Sequence, residues 1–216
     1  MTEFNTISCG GYSGVSDTFA ATLWGVDYVL QLASVGYTAT HIHTRERGIP
    51  YNLFDYPGDG VDTWTTLPMF YSYFPVLNAL QSHHGSKVVD LNLESSMNKT
   101  GSTDVAYGVY DATTSELYRL VFINFADGDG NVEYTIPQGT LPPTCLTITV
   151  RYLTAPTIQE KWDITWSGKT WKDTKDGLPL DTGSGQDLII ECSAGCTVNV
   201  PSPGLALVLV NRDLIQ

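Results

Sequence analysis

Charged residues are scarce in this sequence, and positively charged residues are the scarcest. Lysine and arginine together number 11 against 23 acidic residues, which gives a net charge of −12 at pH 7. Proteins that bind nucleic acid or an anionic membrane surface carry clustered positive charge. The composition therefore predicts neither nucleic acid nor membrane lipid as a partner.

Long apolar segments are also missing. The longest late apolar run, Leu205 to Val210, is far too short to cross a bilayer. The first residues lack the charged and apolar regions of a secretory signal peptide, so we expect no leader in this chain. Hydrophobic residues still make up 42% of the 216 positions, which is enough to bury a core.

Cysteine is rare, with four residues in the chain. Cys192 and Cys196 flank a short Ser-Ala-Gly turn, so we predict a local disulfide between them; pairing of Cys9 and Cys145 stays open. The spacing does not fit a zinc pair, and we expect no metal and no cofactor. Asn98 begins a glycosylation sequon, and with the even cysteine count it favours a secreted, extracellular protein.

The strongest predicted helix runs from Ser16 to Val35. Its apolar residues recur at helical spacing, Ser16 suits the N-cap, and Gly36 suits the left-handed residue after the helix. The segment from Tyr37 to His43 then favours a strand. A second helix is expected from Leu67 to His84, split or kinked at Pro75, with His83 and His84 capping its end.

After Gly85 the pattern changes to short strands separated by turn residues. This spacing is typical of an antiparallel sandwich or barrel. The eight predicted strands are Lys87 to Leu93, Asp104 to Tyr110, Glu116 to Phe125, Asn131 to Ile136, Cys145 to Tyr152, Asp187 to Cys192, Cys196 to Val200 and Leu205 to Asn211.

Glu3 is the candidate catalytic residue, although its position alone also fits, and favours, a disordered acid near the chain terminus. It ends a short extended run, and a glycine-rich loop, a helix and a strand follow it. Barrel enzymes place catalytic groups at such strand ends. His41 and His43 share one face of the next strand. We interpret His41 as a hydrogen-bonded structural histidine, and His43 stays open between structure and function.

Trp162, Trp166 and Trp171 cluster near the middle of the strand-rich region. Exposed tryptophans in a row can stack on sugar rings. Burial in the sandwich core or under a loop is the commoner use of such residues, and both interpretations stay open.

Two segments carry a resemblance to a known family. The first runs from Thr2 to Gly11 and continues through Gly14 to Ala21, and the second holds Ile42-His43-Thr44-Arg45-Glu46 with Tyr51-Asn52. Both resemble the fungal β-glucuronidases of glycoside hydrolase family 79, the wider family of heparanase. The resemblance implies an α+β chain, in which residues 1–87 are the C-terminal remnant of a (β/α)₈ catalytic barrel and residues 88–216 an antiparallel β-sandwich.

The same resemblance implies a retaining β-glycosidase with Glu3 as the nucleophile. It implies a glucuronide substrate bound by Asn5, Tyr12, His43, Arg45 and Tyr51. Its acid/base carboxylate belongs to an earlier barrel strand, so we expect a missing N-terminal barrel half as partner and little activity from this chain alone. Two alternatives remain, a non-catalytic carbohydrate-binding or packing module and a secreted structural protein without a ligand.

Overall fold

A nine-stranded antiparallel sheet dominates the computed structural model, which describes residues 3–58, 60, 64–93, 103–128, 130–143, 145–174 and 176–210. Its strands are β3 (Ser86–Asp90), β4 (Asp104–Asp111), β5 (Leu117–Asn124), β7 (Thr147–Thr154), β8 (Thr165–Trp166), β9 (Lys169–Thr170), β10 (Leu180–Asp181), β11 (Leu188–Glu191) and β13 (Gly204–Leu209). They follow the order β10-β9-β8-β7-β13-β5-β4-β3, and β11 pairs with β7.

Two-stranded sheets and helices complete the fold. β6 (Asn131–Ile136) pairs with β12 (Cys196–Pro201), and β1 (Phe54–Asp55) pairs with β2 (Thr65–Thr66). The helices are α1 (Phe19–Ser34), a 3₁₀ helix (Pro68–Ser72) and α2 (Tyr73–Leu80). The protein is thus mostly β, with a sandwich-like arrangement, and all eight strands predicted after Gly85 are present. Within the described residues, no helix has both the length and the apolar character that a bilayer crossing requires.

The large sheet has a hydrophobic core on each face. Side chains alternate along β13, so Leu205 and Leu207 pack toward the helices while Ala206 and Val208 pack toward the β6–β12 pair. Helix α1 contributes Phe19, Leu23, Val26 and Leu30 to the first core. The helices and the large sheet share this core, and β3 begins at Ser86. The division of the chain into two domains near residue 87 therefore stays a prediction.

Helix α1 is confirmed, but its predicted N-cap is wrong. Thr18 holds the N-cap position and makes no side-chain capping bond. Instead, the N–H groups of Phe19 and Ala20 donate to the carbonyls of Glu160 and Ile158 at 2.7 and 2.9 Å. A distant loop therefore satisfies the donors that begin the helix. The predicted end is confirmed, since Gly36 has a φ of +92°.

Two other predictions need correction. Tyr37 to His43 is not a full strand, because its only assigned pairing among the described residues is an isolated parallel bridge between Ile42 and Phe4. The second helix is shorter than expected and ends at Leu80. His84 therefore does not cap it, and its Nδ1 lies 3.2 Å from Asp111 Oδ2 instead.

Cys192 and Cys196 form the expected disulfide, with Cα atoms 4.8 Å apart across the turn between β11 and β12. Cys9 is a free exposed thiol, and Cys145 is free and half-buried. The sequon at Asn98 lies outside the described residues.

Candidate functional site

The site is built on the parallel bridge between Phe4 and Ile42. The Phe4 N–H donates to His41 O at 3.0 Å, and the His43 N–H donates to Phe4 O at 2.9 Å. The Phe4 ring packs on α1, 6.0 Å from Trp24 and 5.1 Å from Tyr28 between ring centroids. Since successive side chains of an extended segment point to opposite faces, Glu3 lies on the face away from α1.

Glu3 contacts the second segment of the bridge through His43. Glu3 Oε1 lies 3.3 Å from His43 Nδ1, and the Glu3 side chain is 66% exposed. A proton on Nδ1 lets the imidazole donate to the carboxylate. The His43 ring meets the buried Tyr51 ring edge-on, with centroids 5.7 Å apart. His43 is thus held between the carboxylate and an aromatic ring, whereas His41 is exposed, contrary to the structural role predicted for it.

Asn5 fixes the two loops relative to each other. Its Nδ2 donates to His43 O at 2.7 Å and Tyr51 O at 3.2 Å, and its Oδ1 accepts the Thr6 N–H at 2.7 Å. The amide therefore ties the segment that carries Glu3 to the backbone at His43 and at Tyr51. Contact between Asn5 and a substrate stays a prediction.

A strained glycine-rich turn closes the loop after Glu3. Cys9, Gly10 and Gly11 all have positive φ angles, of 63°, 108° and 80°. A Cβ at Gly11 would lie 2.6 Å from Ser16 Oγ, so this position excludes larger residues. The Ser16 hydroxyl accepts hydrogen bonds from Thr6 Oγ1 and from the Tyr12 N–H, at 2.7 and 2.9 Å. Sequence reasoning assigned Ser16 to the helix and missed this role.

Arg45 is paired with its neighbour rather than free. Its Nη2 lies 2.8 Å from Glu46 Oε1, and its Nε donates to Glu46 Oε2 at 3.1 Å. The buried Asn52 side chain organises this loop, since its Oδ1 accepts the Arg45 N–H at 2.8 Å while its Nδ2 donates to Glu46 O and Asp55 Oδ1, both at 2.9 Å. Asn52 was part of the family resemblance, but the sequence did not reveal this positioning role.

Five of the six predicted site residues line one cavity of about 450 Å³. The exception is Tyr12, which is 68% exposed and is not among the described lining residues. Of those lining residues, Glu3 supplies the carboxylate and Arg45 the guanidinium. The described lining consists of Glu3, Phe4, Asn5, Ile7, Ser8, Cys9, His43, Arg45 and Tyr51.

The three clustered tryptophans do not form an exposed row. Trp166 and Trp171 are buried in the core below the helices, and Trp162 alone of the three is exposed. Trp171 stacks on Phe74 with centroids 4.2 Å apart. The interpretation of these three residues as a sugar-stacking platform is therefore wrong.

Residues 106–207 match the family model of the glycosyl hydrolase family 79 C-terminal beta domain. The chain carries this family 79 C-terminal domain. A β-glucuronidase of Aspergillus niger is 31% identical over 125 residues, which cover 58% of this chain and 21% of that protein. A β-glucuronidase of Neurospora crassa is 30% identical over 158 residues, covering 67% and 26%. The chain thus spans about a quarter of the length of these two relatives.

Solved structures match the fold over nearly all of the chain. A 4-O-α-L-rhamnosyl-β-D-glucuronidase from Fusarium oxysporum superposes with a TM-score of 0.74 at 20% identity, covering 96% of this chain and 42% of that one. A family 51 α-L-arabinofuranosidase from Thermotoga petrophila gives a TM-score of 0.62 at 10% identity, covering 98% and 42%. At these identities, the likeness concerns the fold alone.

Proposed function

We propose that this chain is the C-terminal part of a retaining β-glucuronidase with Glu3 as its nucleophile. The observation that carries the proposal is the parallel Phe4–Ile42 bridge, with Glu3 on the face away from α1 and 3.3 Å from His43. A (β/α)₈ barrel repeats one unit, in which two parallel strands are joined by a helix that packs behind them. Such a barrel carries its catalytic groups at the strand ends. This geometry supports residues 1–87 as a barrel remnant.

The proposed chemistry needs two carboxyl groups. A Glu3 oxygen attacks the anomeric carbon and the glycosidic bond breaks, while a second carboxylic acid protonates the leaving oxygen. The resulting ester is then hydrolysed by water, with the second carboxylate acting as base. Retaining enzymes hold the two groups roughly 5–5.5 Å apart. Glu46 is engaged by Arg45 and is not among the described lining residues. The acid/base is therefore proposed to come from barrel strands outside this chain, which alone should hydrolyse little.

The relatives and the donors around Glu3 support a glucuronide as the proposed substrate class. Both sequence relatives named above are β-glucuronidases. A glucuronide carries its own carboxylate, which needs hydrogen-bond donors. Arg45, Tyr51 and His43 lie in the cavity to supply them. Because Glu46 already occupies the Arg45 guanidinium, substrate binding would have to share or displace that ion pair.

An extracellular location, with glycosylation at Asn98, is part of the proposal. The Cys192–Cys196 disulfide supports it, because disulfides persist in oxidising compartments.

The test grafts the missing barrel part of a related family 79 enzyme onto this chain and measures hydrolysis of 4-nitrophenyl β-D-glucuronide. Glu3→Gln should lower kcat by roughly a thousandfold or more with the fold intact, since it removes the nucleophile. Glu46→Gln should retain most of the turnover. Full activity in the Glu3→Gln graft would overturn the assignment. Activity of the ungrafted 216-residue chain would instead place the acid/base within it, with Glu46 the first residue to test.

A further inference from the structure

A second cavity of about 350 Å³ opens between the β1–β2 hairpin and the segment that follows Trp171. Its described walls are mostly aromatic. The Phe54 and Trp64 rings meet edge-on with centroids 5.5 Å apart, and Phe70 lies 6.0 Å from Trp171. Phe54 and Trp64 remain 47% and 41% exposed, which is high for neighbouring aromatic residues. Thr66 and Asp176 add a hydroxyl and a carboxylate to the lining.

We propose that this aromatic cavity binds an uncharged hexopyranose ring of a glycan. Its volume lies at the lower end of the range for small-molecule sites, where apolar walls combine with a few polar groups. The C–H faces of a pyranose ring can pack on aromatic rings, while its hydroxyl groups can donate to a carboxylate and exchange hydrogen bonds with a threonine hydroxyl. Asp176 disfavours an acidic sugar by charge repulsion, and the described lining contains no lysine or arginine to offset it.

The walls of the cavity are held in place before any ligand binds. The Trp171 indole N–H donates to Gly177 O at 3.2 Å, and the Trp171 backbone N–H donates to Tyr71 Oη at 2.8 Å. Asp176 Oδ1 accepts the Leu178 N–H at 3.0 Å, which fixes the carboxylate. A binding surface that is already ordered loses little conformational entropy on binding.

The hairpin on the other side is anchored as well. Asp55 accepts hydrogen bonds from Asn52 Nδ2 and from the Gly48 N–H, both at 2.9 Å. Tyr51 lines the Glu3 cavity and Phe54 lines the aromatic cavity. Three residues of extended chain span at most about 11 Å, so one loop serves both cavities. The inference does not rest on Glu3 being a nucleophile, because sugar binding is measured without turnover.

The test uses the full 216-residue chain with ¹⁵N-labelled tryptophan side chains. Methyl β-D-glucopyranoside and methyl β-D-glucuronide are titrated separately, because they differ only by the carboxylate at C6. The glucoside should shift the indole N–H signals of Trp64 and Trp171 saturably and leave that of Trp162 in place. The glucuronide should bind at least about threefold more weakly, the effect of a screened like charge at the surface.

Variants locate the binding. Phe54→Ala should weaken glucoside binding by roughly three- to tenfold, the contribution of one aromatic contact. Trp162→Ala is the matched control, because Trp162 is 44% exposed but is not among the described lining residues, and it should leave the affinity unchanged. Asp176→Asn alters an exposed group without touching the core, and it should raise the affinity for the glucuronide toward that for the glucoside.

Several results would overturn the proposal. They are the absence of a saturable Trp64 shift in the unmodified chain, an equal affinity for both sugars, or a folded Phe54→Ala variant that binds as the parent does. Unaltered remaining indole signals show that a variant is folded. If Phe54→Ala does not fold, the Asp176→Asn result decides alone, and an unchanged glucuronide affinity then counts against the site.

Discussion

The backbone N–H of Phe19 donates a 2.7 Å hydrogen bond to the carbonyl of Glu160, although 141 positions of sequence separate the two residues. The Asp17 carboxylate reinforces the junction, since its Oδ2 lies 2.7 Å from Lys161 Nζ and its Oδ1 accepts the Gly14 N–H at 2.5 Å. The loop after Glu3 is therefore anchored on the β-rich part of the chain.

Lys161→Met should lower the free energy of unfolding by about 1–2 kcal/mol, because it removes a charge-assisted hydrogen bond from the largely buried Asp17 carboxylate. Urea denaturation at pH 7 measures the change. Lys172→Met is the matched control: Lys172 pairs at 2.8 Å with the well-exposed Asp163, and its loss should cost clearly less than the loss of Lys161. Equal costs for the two variants would contradict the role given to this junction.

The turn after Glu3 offers a second matched pair. Gly11 and Gly14 have nearly equal φ angles, of 80° and 82°. An added Cβ would collide with Ser16 at Gly11 and would meet nothing within 4 Å at Gly14. Both alanine variants should be destabilised by the positive φ, roughly 1 kcal/mol. Gly11→Ala should cost about 1–3 kcal/mol more because of the collision. Thermal unfolding of the two variants checks the difference, and a Gly14→Ala cost as large as that of Gly11→Ala would argue against it.

The longer elements could be predicted because their signals are local. The continuous apolar run of β13, which is buried on both faces, and the helical stripe of α1 are contained in the sequence of each element. The beginning of α1 could not be predicted, because the groups that satisfy its first N–H donors belong to Glu160 and Ile158. Local sequence preferences favoured Ser16 as the N-cap, but its hydroxyl accepts hydrogen bonds from Thr6 and Tyr12 in the preceding loop.

Contacts between distant parts of the chain also account for the wrong predictions around the site. Tyr37 to His43 has strand-forming residues, yet a strand exists only through its neighbours, and one bridge to Phe4 is what the described residues provide. The burial of Trp166 and Trp171 depends on α2 and its preceding turn, which pack over them. Strand order and the family resemblance both predicted that one cavity would be lined by Glu3, His43, Arg45 and Tyr51. The hydrogen bonds of Asn52 could not be predicted, because they depend on the geometry of the loop.

Asn52→Asp should destabilise the loop that carries Arg45. The substitution keeps the shape but puts a carboxylate oxygen where Nδ2 now donates to Glu46 O and Asp55 Oδ1. We expect a loss of about 2–4 kcal/mol at pH 7, as for a broken buried polar network. Asn199→Asp makes the same chemical change at an exposed position of β12, opposite Glu133, and should cost clearly less than Asn52→Asp. Urea denaturation compares them, and a near-neutral Asn52→Asp would show that these bonds contribute little.

Acid stability should depend on Asp111. The pKa of this carboxyl is lowered to about 2, most of all by the hydrogen bond from the Thr114 N–H. The Thr113 N–H and His84 lower it further. An unfolded Asp has a pKa of about 3.9. Because the folded pKa is depressed, the stabilisation is fully present above about pH 4 and is lost as the pH falls through about 2.

Asp111→Asn should therefore flatten the fall in melting temperature between about pH 4 and pH 2, the interval between the unfolded and folded pKa values. Glu116→Gln removes a carboxylate from the same turn, where Glu116 is exposed, and should keep the parent slope. Melting temperatures of both variants and the parent, measured at several pH values between about 4 and 2, test this expectation. An unchanged slope in Asp111→Asn would mean that other groups carry the acid sensitivity.

The central claim is that Glu3 attacks the anomeric carbon. The most direct measurement treats the barrel graft with 2-deoxy-2-fluoro-β-D-glucuronyl fluoride and maps the modified peptide by mass spectrometry. In a retaining enzyme, the nucleophile displaces fluoride from C1 and forms a glycosyl ester whose hydrolysis is slowed by the fluorine at C2. We predict a label on Glu3, which Glu3→Gln abolishes and Glu46→Gln leaves in place. A label on another carboxylate, or turnover of glucuronides by the graft without a covalent intermediate, would contradict the account.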